Sequence, residues 1–194
     1  MSIRHKNTVA TTRMFTGLSM LGLLAGLIAV GGCSTAPKSE SGREDLHANV
    51  QTTLRTMKDQ DPSLDNFLKN AHAYALFPTV GKGGLIAGGA YGRGEVYRGE
   101  EMIGFADLSQ ATIGAQAGGQ EFAELIVFES AAALERFKSN KLKFAANASA
   151  VALKSGTAAS ARYDDGVAVF IRPTGGLMVE AAVGGQSFSY RPRE

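Results

Sequence analysis

The sequence predicts an α+β domain: a strongly curved, partly closed antiparallel sheet of Gly-rich strands, with two N-terminal helices and one inserted helix. Three observations predict it. Residues 43–59 place Leu46, Val50, Leu54 and Met57 at steps of four, four and three, one stripe of a helix. Residues 83–97 alternate small and large side chains around six glycines, a density that disfavours helix. Beyond them, short apolar runs alternate with turn residues to the C-terminus.

The elements follow in order. The first helix carries Glu44, Asp45, Arg55 and Lys58 among its outward positions. Asp61-Pro62 reads as an N-cap followed by Pro at the first helical position, opening a second helix to about His72. Its inward face is Leu64, Phe67, Leu68 and Ala71. Ala75-Leu76-Phe77-Pro78 is a short strand stopped by Pro78, and residues 83–97 follow as a strand. Residues 100–105 and 111–128 are extended, the latter ending in Leu125-Ile126-Val127-Phe128. Ser130 caps the inserted helix, with Ala131, Leu134 and Phe137 along one side. Residues 143–155 are Ala-rich and read as strand, although helix is open there. Residues 158–162, 166–172 and 176–190 close the chain as strands, with turns at Asp164-Asp165-Gly166 and Thr174-Gly175-Gly176. Alternate glycines at Gly88, Gly92 and Gly94 leave one strand face nearly smooth, which permits strong curvature, with helices over the ends of the sheet. A weak echo relates residues 83–92 to 175–184, with Gly83-Gly84-Leu85 repeated as Gly175-Gly176-Leu177.

The chain has 194 residues, 44% hydrophobic and 20% charged, with 24 Gly, one Cys and no Trp. One Cys excludes a disulfide scaffold and a Cys-rich zinc module. The formal charge of +2 is unevenly placed. Residues 1–32 hold Arg4, Lys6 and Arg13 and no acid, so the remainder is slightly acidic. A globally basic nucleic-acid binder is therefore not expected. Those three cations precede an apolar run over residues 14–30, short for a permanent membrane span and suited to a removable secretory signal. Val30-Gly31-Gly32-Cys33 resembles the lipobox of bacterial lipoproteins, in which cleavage precedes a Cys that is then acylated. Residues 1–32 are then a signal peptide, 33–42 the lipidated Cys33 and a polar tether, and 43–194 the domain. Each buried acyl methylene contributes roughly 0.8 kcal/mol, so Cys33 would hold the chain on a membrane. Ser34 rather than Asp after the Cys implies, by the same resemblance, the outer membrane of a Gram-negative envelope.

Catalytic and cofactor motifs are not found. Gly81-Lys82-Gly83 fails as a phosphate loop, because Leu76 stands where the first Gly belongs and Gly83 where Ser or Thr should bind magnesium. Gly89-Ala90-Tyr91-Gly92-Arg93-Gly94 lacks dinucleotide spacing and a following helix. His5, His47 and His72 have no His or Cys partner at helical spacing, and Asp164-Asp165-Gly166 lacks the alternating acids of a calcium loop. There is no Gly-x-Ser-x-Gly elbow, and Glu100-Glu101 reads as a solvated turn. The expectation is a protein with no cofactor, no metal and no enzymatic activity.

From Ala73 onward the sequence resembles the SYLF, or Ysc84-like, domain family. The residues that carry this are Ala75-Leu76-Phe77-Pro78-Thr79-Val80-Gly81-Lys82-Gly83-Gly84 and Gly88-Gly89-Ala90-Tyr91-Gly92-Arg93-Gly94. Ile113-Gly114-Ala115-Gln116-Ala117-Gly118, Glu124-Leu125-Ile126-Val127-Phe128, Ala168-Val169-Phe170-Ile171 and the run from Gly176 to Gly185 continue it. Ile103-Gly104-Phe105-Ala106 stands where the family often has Trp-Ser-x-Pro. The resemblance implies a compact α+β domain without a catalytic set and with lipid-binding capacity. Eukaryotic members associate with phosphoinositides and some with actin.

Basic side chains are the candidates to meet lipid phosphates. The densest group is Arg136, Lys138, Lys141 and Lys143, at the end of the inserted helix, where dipole compensation accounts for the charge equally well. Lys82 and Arg93 flank the Gly-rich strand and form a second group. The helix over residues 43–59 could lie on a membrane by its apolar stripe, but its mixed charge favours packing on the sheet. The leading expectation is a membrane-anchored envelope lipoprotein that binds anionic phospholipid. The alternative is a structural or interaction lipoprotein that contacts another envelope protein or peptidoglycan, with no specific lipid ligand.

Overall fold

Ser39 sets the start of the first helix: its hydroxyl accepts the Gly42 N–H at 3.1 Å. In this computed structural model, residues 36–142 and 150–193 are described, without the side chains of 178–184. Helix α1 runs Glu40–Gln60 and buries Val50, Leu54 and Met57, the stripe expected from the sequence, with Leu46 half-buried. Helix α2, Ser63–Lys69, is shorter than expected. Strand β1 (Ala73–Gly84) continues through Pro78, because a bulge between Leu76 and Thr79 absorbs the missing N–H. Strand β2 is Ala87–Arg98, so the Gly-rich stretch holds a hairpin turn at Leu85 and Ile86. The segments expected at 100–105 and 111–128 are one strand, β3, Glu101–Phe128. Helix α3 (Ala131–Lys138) is capped by Ser130, whose hydroxyl accepts the Ala133 N–H at 3.3 Å.

Strand β4 is Ala150–Ala152, within the stretch expected to be strand, while residues 143–149 lie outside the described residues. The strand expected at 158–162 is instead a single turn, α4, Thr157–Ser160. The last two expected strands are one, β5, Val167–Pro192. Thr174-Gly175-Gly176 therefore bends a strand and does not end one. Gly176 has φ 82°, and a Cβ there would collide with the Gly119 carbonyl on β3.

The sheet order is β1-β2-β3-β5-β4, with β1 also paired to β3. All ladders are antiparallel except the short β4–β5 pair. Two long bent strands explain the double pairing. The first part of β3, to Ile113, pairs with β2, and the part from Gly118 to Phe128 pairs with β1. Strand β5 follows β3 along its outer side through the whole bend, from Gly104 to Phe128. The β1–β2 hairpin thus lies between the two arms of a folded β3–β5 ribbon. Backbone bonds lock its tip to the bend: Gly114 N–H to Ile86 C=O at 2.9 Å and Gln116 N–H to Leu85 C=O at 2.8 Å.

The sheet is curved but not closed, which corrects the expectation of partial closure. The helices also differ in placement: they cover the two faces of the sheet, not its ends. Ala73, Ala75 and Phe77 of β1 join Ile126, Phe128 and Phe188 under Leu134 and Phe137 of α3. The intervening Tyr74 and Leu76 join Leu125, Val127 and Phe170 under Val50, Leu54 and Met57 of α1, Leu64 of α2 and Ala158 of α4. By contacts the chain divides into two units, Met1–Cys33 and Ser34–Glu194; the second holds both cores, and the first lies outside the described residues.

Candidate functional site

A groove of about 530 Å³ opens at the start of α1. Arg43, Glu44, His47 and Ala48 come from α1, Met102 and Phe105 from the start of β3, and Arg191, Pro192 and Arg193 from the end of β5 and just beyond it. Ala36, buried, and Glu95 complete the wall. The local sequence explains the assembly. The helical period of α1 puts Val50 and Leu54 on the sheet and leaves Arg43 and His47 at the edge. The register of β3 with β5 brings Arg191 opposite Phe105 and Pro192 opposite Gly104.

Glu95 is the buried acid of this groove. Its Oε2 accepts the Tyr97 hydroxyl at 2.5 Å and lies 3.1 Å from His47 Nδ1, while Gln51 Nε2 donates to the Tyr97 oxygen at 3.0 Å. Burial, with the Glu95 carboxylate next, pushes the Tyr97 phenol far up; the same two causes push Tyr74, stacked on Tyr97, up to about 12. Glu95 is thus held inside the wall by neighbours; Arg43, whose Nη1 donates to the Pro37 carbonyl at 3.4 Å, lines the groove with Glu44, Arg191 and Arg193. Apolar floor and cationic rim suit an amphiphilic anion.

The sequence-predicted cations are not brought together. Arg136 reaches back to the turn after α4, donating to the Asp165 carbonyl, with Asp165 Oδ1 at 3.3 Å. Lys138 donates to Glu135 at 3.0 Å and lies 5.1 Å from the Tyr190 ring centre. Lys141 is exposed just past α3. Lys143 and Cys33 lie outside the described residues. Arg93 sits on the β2 arm of the hairpin, its Nε 3.1 Å from Asp107 Oδ1 and its Nη2 3.1 Å from the Tyr91 hydroxyl. Burial raises the Asp107 carboxyl, against the pull of Arg93.

Lys82 is corrected most clearly. Expected beside the Gly-rich strand as a cation to meet lipid phosphates, it is a buried residue within β1, paired across to Ala90 and Gln120. It belongs to a polar interior where the sheet curls near its bend, with Gln110, Thr112, Gln116, Glu124 and Gln186. Gln186 Nε2 donates to Glu124 Oε2 at 3.0 Å, and Thr112 Oγ1 to Gln116 Oε1 at 2.9 Å. A side chain at Gly88 would meet the Gln116 amide, which lies over it. Burial pushes the Glu124 carboxyl up to about 7, with the Gln186 hydrogen bond and the Lys82 charge acting in opposition. Among the described residues no group of three His, Cys, Asp or Glu could hold a metal ion, and no helix is long and apolar enough to cross a membrane.

Fold and site together define a mixed α+β domain, with an edge groove and a helical layer on each face of the sheet. Residues 109–194 match the family model described as Ysc84, Las17-binding protein actin regulator, so this part of the chain is similar to the Ysc84 (SYLF) family. The match begins inside β3 and runs through β5, and the hairpin between the arms of that ribbon precedes it. A comparison with curated proteins gave no match. Sequence reasoning missed the groove because its arginines come from opposite ends of the domain. The pair flanking Pro192 was the one local signal.

Proposed function

We propose that the protein is a lipoprotein of the cell envelope, held on the outer membrane by acylated Cys33, whose Ysc84-like domain binds anionic phospholipid without catalysing a reaction. The observation that carries this reading is the groove of Arg43, Arg191 and Arg193 over Ala36, Met102 and Phe105. Guanidinium forks match phosphate oxygens, and the floor accepts the first methylenes of an acyl chain. Ala36 lies three positions after Cys33, at most about 10 Å of extended chain, which keeps the groove near the bilayer that takes the acyl groups. The family description names a binding protein, and a binding role is what it lends here.

The unit Ser34–Glu194, without an acyl group, should float with vesicles containing phosphatidylglycerol at low salt, and lose that binding as salt rises. Arg43→Glu with Arg191→Glu should lower the vesicle affinity at least about thirtyfold, since the two lost cations contribute roughly 1 kcal/mol each near the surface. Lys138→Glu with Lys141→Glu should leave it nearly unchanged, since Lys138 is already engaged with Glu135 and Tyr190. In the full chain, Cys33→Ser should abolish palmitate incorporation. Flotation that survives the arginine reversals would remove the groove from the reading. No flotation at low salt would favour a protein or peptidoglycan partner instead.

A further inference from the structure

Around the bend of the β3–β5 ribbon the ordinary polarity of a soluble sheet is reversed. Leu85, Ile86, Ile113 and Leu177 are 70%, 80%, 71% and 90% exposed, while Lys82, Gln110, Thr112, Gln116 and Gln186 are buried on the inner side. Register puts two of the apolar residues, Ile113 and Leu177, on one face. Ile113 pairs with Ala87, Leu177 with Gly119, and Gly119 with Gly83, so these positions alternate with the inward polar ones. We infer that this face is a lipid-contacting surface, which seats Leu85, Ile86, Ile113 and Leu177 among the acyl chains of a bilayer leaflet.

Four features favour a leaflet as the occupant. Residues 83–90 and 111–119 contain no charged side chain, and 174–185 contain one, Glu180. A protein interface ordinarily has a charged or polar rim that fixes its register, whereas hydrocarbon rejects one. The carbonyls of Leu85 and Ile86, which would otherwise need water at a hairpin tip, are taken by Gln116 and Gly114 N–H groups. Apolar outside and polar inside is also the pattern of strands that meet lipid. Finally, Ala36 is buried in the core on this same face, under α1. The chain therefore enters the domain on the face that carries the patch. Only this last argument rests on the lipoprotein reading.

The chain has no Trp, so one introduced indole reports on its own position. Ile86→Trp in the unit Ser34–Glu194 should shift its emission to the blue on vesicles of phosphatidylcholine and phosphatidylglycerol. Lipids brominated in the acyl chains should quench it. Lys141→Trp, on the α3 side, should show neither change. Leu85→Ser with Ile113→Ser should lower vesicle partitioning at least about a hundredfold, roughly the transfer of two aliphatic side chains. Flotation through the arginine groove, with the indole of the Ile86→Trp variant left unquenched, would overturn the lipid-contacting face and leave the headgroup reading standing. Quenching that persists when Arg43→Glu and Arg191→Glu are added would separate the two in the other direction. A blue shift that grows with protein concentration and needs no vesicles would overturn the inference in favour of a second copy of the chain.

Discussion

Asp61→Ala lowers the stability of the folded unit by about 3–5 kcal/mol, since it leaves several donors to a buried carboxylate unpaired at about 1–3 kcal/mol each. Asp61 is fully buried at the corner between α1 and α2. Its Oδ1 accepts the Ser63 N–H at 3.1 Å, the Ser63 hydroxyl at 2.6 Å and the Gly156 N–H at 3.1 Å, and its Oδ2 accepts the Ala158 N–H at 2.7 Å. Removing the carboxylate leaves the Gly156 and Ala158 N–H groups unpaired beside the core that holds Leu64 and Leu153. Burial alone would raise this carboxyl, but the Ala158, Ser63 and Gly156 donors together hold it below its ordinary value. The stabilisation is therefore present above about pH 4 and is lost as pH falls through the depressed value. Thermal unfolding at pH 7 checks the substitution: a midpoint about 10 °C lower is expected, and a drop under about 2 °C would mean that water replaces the carboxylate.

Glu124→Gln has the opposite sign. The parent carboxyl titrates near 7 when folded and near 4.5 when unfolded. Its contribution is fully favourable below pH 4.5 and declines as pH rises to about 7, because the folded interior disfavours the charge. Across that window the parent should lose about 3 kcal/mol relative to Glu124→Gln, at roughly 1.36 kcal/mol per pKa unit. Urea unfolding of both proteins between about pH 4.5 and 8 measures the difference. Parallel curves would show that Lys82 neutralises the carboxylate completely. A single amide in place of the acid also keeps the Gln186 contact, since either end of that amide can face it.

The helices were legible because their signals are local. The stripe of α1 and the Ser130 cap of α3 stand in the sequence as they stand in the fold. Asp61-Pro62 was legible in part: the helix begins at Ser63, but Asp61 accepts the Ser63 N–H as a cap would. The α4 turn was not legible, because its N–H partners come from Asp61, far earlier in the chain. Glycine misled at one bend. Gly176 has positive φ inside the continuous strand β5, where Thr174-Gly175-Gly176 reads in the sequence as a turn between two strands, whereas Gly114 and Gly118 lie within a segment the sequence reads as extended. Charge density misled in the same way. The cations that crowd α3 serve Asp165, Glu135 and Tyr190, whereas the groove draws Arg43 and Arg191 together through the packing of α1 and the β3–β5 register.

The clasp of the β3–β5 ribbon around the hairpin fixes an order of assembly. β1, β2 and the first arm of β3 are joined by short turns and close early, at small entropic cost. The ribbon's outer strand is the last 26-residue element of the chain, and its partner residues 104–128 have long been made when it arrives. Until then the whole outer edge of β3 is an unpaired template, the kind of edge that recruits other chains. Such non-local closure belongs to folds that complete in milliseconds to seconds. A chain of this topology crosses its most association-prone moment just before its final strand docks.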